Sequence, residues 1–296
     1  MVARKLITQV LRPQRATTAP KNHPRASSLP FISGDTFRSV AGVLIESGAI
    51  SVRGELDSGV IFADTQTAAS SDFFSLLSQA IDMADSAPPR VLVIHNGDHN
   101  FELTQLEQLK PFGLKIFATN LTQEAPGISA LPIGLENSFY DKNGRLEPFL
   151  QSFDNPSPPE NRTRRVLSSF HEETNQSLRG PVKSVLSHSR FGHEEQFRRR
   201  SEYRQEVQNT KFVISPPGNG RDCHRTWEAI YLGAVPVVMN GHLAESLTSD
   251  LPICVVDDYE DFVSLTDNEL DALYQELRSR PLTKAWGHHW LAQFFQ

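Results

Sequence analysis

KFVISPPGNGRDCHRTWEAIYLGAVPVVM, residues Lys211 to Met239, decides the fold class. Lys211–Ser215 is a short run of β-branched and aromatic residues stopped by Pro216-Pro217, the pattern of a buried strand. PPGNGRDCH is turn-rich and carries two glycines, so the backbone there can come close to a ligand. Asp222 is a suitable N-cap for a helix through Leu232, and Gly233 suits the left-handed residue beyond its end. Val235–Met239 reads as the next buried strand. Strand, loop, helix, strand describes a parallel α/β unit, with a glycine-bearing loop ending at a helix N-terminus. Free N–H groups and the helix dipole favour an anion at that point.

The same alternation extends outward. Val60–Ala63, Arg90–His95, Leu114–Ala118 and Ile128–Ile133 read as strands. Ser71–Ala87 repeats apolar residues at helical spacing through Phe73, Phe74, Leu77, Ala80, Ile81 and Ala84, and Leu103–Leu109 is a shorter helix. RVLVIH is apolar without a break, as expected where helices cover both faces of a sheet. DNPSPPEN, Asp154–Asn161, holds three prolines and reads as a boundary. Beyond it come a strand at Arg165–Ser169, a charged helix over Phe191–Asn209, the central stretch and a strand at Leu251–Val256. Asp257-Asp258 reads as an N-cap, and Asp267–Arg278 and Leu282–Phe295 as closing helices. The expectation is an α/β chain with a basic tail (1–30), a small first domain (31–158) and a second domain (159–296). Two Rossmann-like halves would face each other across a cleft, where ligands tend to bind.

Charge narrows the partners. The net charge is −6, and residues 1–30 hold six basic side chains and no acid, so the rest stands at −12. A body that acidic speaks against nucleic acid as the main partner. The tail, with four prolines, reads as solvated chain. A transit peptide, or a peripheral contact of MVARKLITQVLR with an anionic membrane, is the alternative. Two cysteines exclude a disulfide framework and a four-cysteine zinc site. No run reaches the roughly 20 apolar residues of a membrane span, and no secretory h-region is evident, so a cytoplasmic location is expected.

Gly218-Asn219-Gly220 supplies only G-x-G; the third glycine of a dinucleotide fingerprint would fall at Cys223, and no P-loop motif is present. Arg225 and Glu228 lie three apart, on one face of the helix near its start. A guanidinium fork there suits a diphosphate, and a carboxylate suits a ribose diol. The plainer reading is a surface ion pair worth roughly 0.3 kcal/mol. Cys223-His224 makes a poor nucleophilic or metal pair, because neighbouring helix residues diverge by about 100°. His224 can still touch a phosphate.

SPPGNG, then Arg225-x-x-Glu228-Ala229, then Gly233-x-x-Pro236-Val237-Val238 resembles the donor-binding segment of the exostosin-type glycosyltransferases, including ribitol xylosyltransferase. VLVIHNGD, LKIFATN and LPIGLEN add a weaker likeness in the first half. The resemblance implies a GT-B-like fold and a nucleotide-sugar donor held by Arg225 and Glu228; the loop and helix start add Gly218, Asn219, Gly220 and His224 as donor contacts. Arg190, Lys183 and Arg221 are further cations for the leaving diphosphate. It also implies a glycan or glycoconjugate acceptor, inversion, and neither a cofactor nor a tightly bound metal. The base belongs to the first half: Asp98 in HNGDHN is preferred, then Glu136 in LPIGLEN, with Asp35, His95 and His99 also available. The alternatives are a non-catalytic protein that binds nucleotide sugars or glycans, and a dinucleotide oxidoreductase, which the incomplete fingerprint disfavours.

Overall fold

Two strands with hardly a polar residue, β3 (Val60–Asp64) and β4 (Val91–His95), pair in parallel at the middle of a six-stranded sheet. This is a computed structural model, and it describes residues 25–53, 58–84, 89–138, 140, 144–194 and 199–296. The tail up to residue 24 and its expected amphipathic helix lie outside these residues. So do 85–87 of the expected helix at Ser71–Ala87 and 195–198 of the expected charged helix.

The sheet continues through β5 (Lys115–Ala118) and β6 (Ile128–Ala130), both parallel to β4. On its other side β1 (Val43–Glu46) pairs in parallel with β3 and antiparallel with β2 (Ala49–Val52). The β1–β2 turn places Ser47 at φ 53° and Gly48 at φ 74°, two left-handed residues as a tight hairpin requires. Short helices α1 (Gly34–Ser39) and α2 (Thr65–Ala68) are N-capped by Ser33 and Asp64. α3 (Phe73–Asp82) turns Phe73, Leu77 and Ala80 inward, and α4 (Leu103–Glu107) leads to β5.

α5 (Glu147–Asp154) precedes the proline-rich segment, and a single 3₁₀ turn, Pro159–Asn161, lies within it. Arg162 then donates to the carbonyls of Val207, Thr210 and Leu232, which ties the segment into the second half. The second sheet is four-stranded and parallel, in the order β10 (Cys254–Val256), β9 (Val235–Met239), β8 (Thr210–Ile214), β7 (Arg164–Leu167). α6 (Gln176–His188) and α7 (Arg200–Gln208) lie between β7 and β8. α8 (His224–Tyr231) joins β8 to β9, α9 (Glu245–Thr248) leads to β10, and α10 (Tyr259–Ser264), α11 (Asp267–Arg278) and α12 (Gly287–Phe294) follow. The chain is thus mixed α/β, with one mostly parallel and one wholly parallel sheet, compatible with Rossmann-like units.

Side chains of the second sheet alternate between two cores. Val166, Phe212, Ile214, Val235 and Val237 face a cluster with Phe262, Leu270 and Tyr274. Leu167, Val213 and Val238 face the larger cluster, which continues through Trp227 and Ile230 into the first sheet. Phe31, Phe149, Tyr231 and Trp286 meet in that larger core, with Phe31 and Tyr231 ring centroids 5.0 Å apart. The Tyr231 hydroxyl donates to Ala285 O and accepts from Ile32 N, so its polar end is satisfied inside.

Several boundaries differ from expectation. Asp222 is not the N-cap of α8: Cys223 holds that position in extended backbone, and Asp222 turns into the core. Among the described residues of 191–209, helix covers only α7. Leu282–Phe295 divides into a 3₁₀ turn (Thr283–Ala285) and α12. Gly233 follows α8 at φ 81°, as expected, and a Cβ there would lie 2.3 Å from Arg162 Nη2.

Candidate functional site

The loop after β8, residues 215–224, meets three loops that follow the carboxyl ends of β4, β5 and β6. Asn219 donates to Asp98 Oδ2 (3.2 Å), and Asn100 donates to Asn219 O (3.2 Å). The Arg221 backbone N–H donates to Asn100 Oδ1, while its guanidinium reaches Thr122 Oγ1 and Glu102 Oε1. Asn120 accepts from Asp222 N and donates to Gly97 O. Gly220 lies over that amide: a Cβ would be 2.8 Å from Asn120 Oδ1, so the close approach needs glycine. The loop's sequence therefore answers first to the facing half.

Asp222 is the inner clasp of this seam. Its carboxylate accepts from Ile133 N (2.8 Å) and from Trp227 Nε1 (2.9 Å to each oxygen). Burial pushes its pKa up to about 6, against the opposing pull of these donors and of His224. Next to it, the His224 ring bonds Gly134 O through Nδ1 (2.8 Å) and faces Glu136 Oε2 through Nε2 (3.4 Å). Deeper still, His95 accepts from Asn96 N at Nδ1, so Nε2 carries the hydrogen toward Pro132 O. Burial lowers the His95 pKa to about 4, with nearby His224 acting in the same direction. Asp35 is fully buried, accepting from Ser138 N and Oγ, with Arg25 Nη1 3.6 Å away. Burial raises its pKa, and the Ser138 bonds and Arg25 oppose the rise.

On the other side of the loop the chemistry is cationic. Arg179 of α6, 5% exposed, donates to Pro217 O (2.7 Å) and His171 O (2.9 Å). Asn175 donates to Gly218 O, and a Cβ at Gly218 would come 3.2 Å from Arg179 Nη2. Arg225 and Arg179 both lie over the Phe170 ring, at 6.0 and 5.7 Å from its centroid. Burial, then repulsion from Arg225, lowers the Arg179 pKa to about 10, which leaves it charged at neutral pH. These partners of Arg179 are neutral carbonyls. Arg225 Nε is buried without a hydrogen-bond partner among the described residues. Two guanidiniums thus converge beside the first turn of α8.

Glu228 is 1% exposed, and it is occupied: Arg200 Nη2 lies 3.2 and 3.3 Å from its two oxygens and Arg204 Nη2 3.4 Å from one. It is a buried counter-ion of α7; burial opposes charge on Arg225, but Tyr203, Cys223 and Glu228 beside it together raise the Arg225 pKa. Arg190 lies apart from the loop, bonded to Asp267 and stacked on Phe191, and Lys183 pairs with Glu172. The structure therefore joins Asp98 to Asn219 and Glu136 to His224, and keeps Arg225 beside Arg179. Sequence reasoning missed Arg179, Asp222, Asn120 and Arg204. Only Asp222 carried a signal, as an acidic residue between the glycine loop and Trp227.

Among the described residues, no group of three or more His, Cys, Asp or Glu side chains is placed to hold a metal ion. No described helix is long and apolar enough to cross a membrane. Compared with known proteins, the chain matches no family model and no curated protein.

Proposed function

We propose that the chain is a glycosyltransferase that moves a sugar from a nucleotide-diphosphate sugar to a glycan or glycoconjugate acceptor, with inversion. In this reading the two sheets are the halves of a GT-B-type enzyme, the second holding the donor and the first the acceptor. The observation that carries it is the Arg179–Arg225 pair. Two like charges, one of them bonded to neutral carbonyls, converge at the start of α8. An anion of charge near −2 relieves that repulsion, and the adjacent helix N-terminus favours the same ligand. A leaving diphosphate is such an anion, and preorganised donors stabilise it as charge develops. The motif resemblance through Arg225, Ala229 and Pro236 points the same way. A base from the first half, at Asp98 or Glu136, completes the chemistry.

One second reading is a protein that binds nucleotide sugars without transferring them; the burial of Glu228 under two arginines bears on both readings, because Glu228 is a donor contact. Ribose contact at Glu228 requires Arg200 to move aside. A thermal-shift series over nucleoside diphosphates and nucleotide sugars tests the donor site. A rise in melting temperature is expected, and no shift with any of them at millimolar concentration would refute it. Binding without transfer to any acceptor in a broad screen would select the second reading.

A further inference from the structure

The geometry points to Glu136, faced by His224 across the seam, as the group that accepts the acceptor's proton; this rests on the glycosyltransferase reading. Three observations lead there. First, the Gly134 carbonyl is fixed in place. Gly134 has φ 69°, and a Cβ would lie 2.2 Å from Ile32 O, so only glycine fits. Leu135 N also donates to Ile32 O, and Ile133 N to Asp222, which clamps the residues on either side. Second, His224 bonds that carbonyl through Nδ1 at 2.8 Å. A carbonyl only accepts, so Nδ1 carries the hydrogen, and in the neutral ring Nε2 carries the lone pair. Third, Nε2 faces Glu136 Oε2 at 3.4 Å, while Glu136 Oε1 accepts from Asn137 N at 3.1 Å. Oε1 is thus oriented, while a neutral His224 has no hydrogen to give Oε2, so that contact becomes a hydrogen bond only when the carboxylate takes up a proton; the side chain stays 22% exposed.

Asp98 lacks this support. It is exposed, and its named partner, Asn219, is an exposed amide on the loop tip. Glu136 instead faces the residue that immediately precedes Arg225, so base and leaving-group cation stand on either side of the same helix start. In the transfer step the acceptor oxygen bonds to the anomeric carbon as that carbon's bond to the diphosphate oxygen breaks. The bonding pair departs on the diphosphate, and the acceptor's proton passes to Glu136. The new O–H on Glu136 then donates to the lone pair of His224 Nε2. His224 is a positioning residue: its ring is set by Gly134, and its lone pair receives the carboxyl O–H once Glu136 is protonated.

The test uses the full chain and two readouts. Proton–nitrogen correlation spectra of histidine-labelled protein, assigned with H224N, should show the Nδ1–H tautomer for His224 and an Nε2 signal that moves in E136Q. Release of UDP or GDP from a panel of UDP- and GDP-sugars, with calorimetry of the free diphosphates, gives the second. E136Q should slow turnover about 100-fold or more, with diphosphate affinity within threefold of wild type and a loss at least tenfold larger than that of D98N. H224N, whose amide can still bond Gly134 O, should lower kcat about tenfold with KM nearly unchanged. Turnover by E136Q at the wild-type rate, with diphosphate binding intact, would overturn the assignment and leave the donor site standing. Loss of both binding and turnover in the wild type would overturn both.

Discussion

Replacing Asp222 by asparagine changes how the stability of the chain responds to acid. The carboxylate sits in the core on three hydrogen-bond contacts, yet burial outweighs them and lifts its pKa from 3.8 to about 6. A folded-state pKa above the unfolded one means the folded chain binds the proton more tightly. The ionised group is therefore a cost at neutral pH, and stability is gained as pH falls from 7 through 6 toward 4. The full displacement is worth about 3 kcal/mol, and about 1.3 kcal/mol of it is recovered between pH 7 and pH 5. The amide of the variant has nothing to titrate. Urea unfolding of both proteins at the two pH values isolates the effect, since groups that do not interact with Asp222 cancel in the difference. Wild type should gain about 1.3 kcal/mol on the variant at pH 5 relative to pH 7. A difference that stays constant, or moves against wild type on acidification, would refute the claim that burial dominates at Asp222.

His95 is expected to do the reverse. Its folded pKa is depressed to about 4, so its contribution is present above the ordinary 6.5 and is lost as pH falls toward 4. Wild type should lose about 1.8 kcal/mol relative to His95→Gln between pH 7 and pH 5 in the same unfolding assay. Glu228→Ala should cost about 3–5 kcal/mol by removing the buried counter-ion of the Arg204 guanidinium, and Arg204→Met in the same chain should restore most of it. Arg200→Ala removes the half-exposed partner and should cost about 1 kcal/mol or less, read by denaturant midpoint.

Much of the framework was legible because it is local. Unbroken apolar runs such as Val91–His95 announce parallel strands, Gly233 announces a helix end, and Asp258 and Thr266 cap α10 and α11 through contacts two or three residues away. α6 was not, because Gly180-Pro181 reads as a break, although the helix runs through it. The β1–β2 hairpin was hidden for a similar reason: Glu46-Ser47-Gly48 lies in a stretch with weak alternation. The site was legible only in part. Arg225 and Glu228 stand three apart in the sequence and suggest each other. Yet the partners of Glu228 come from α7, 24 and 28 residues upstream, in a stretch that reads only as a charged helix. Arg179 meets Pro217 from 38 residues away, and Asp222 reaches back to Ile133 across 89. Such pairs exist only once the elements that carry them have packed together, and no spacing rule anticipates them.

The proposed function stands on Arg179 and Arg225 forming a diphosphate site at the start of α8. Calorimetric titration of UDP and GDP into wild type, Arg179→Gln and Arg225→Gln, each at two salt concentrations, tests it most directly. A nucleoside diphosphate is expected to bind wild type at millimolar concentration or below, more weakly at high salt, and at least about tenfold more weakly in each variant. Binding that survives both substitutions undiminished, or no binding at all, would contradict it.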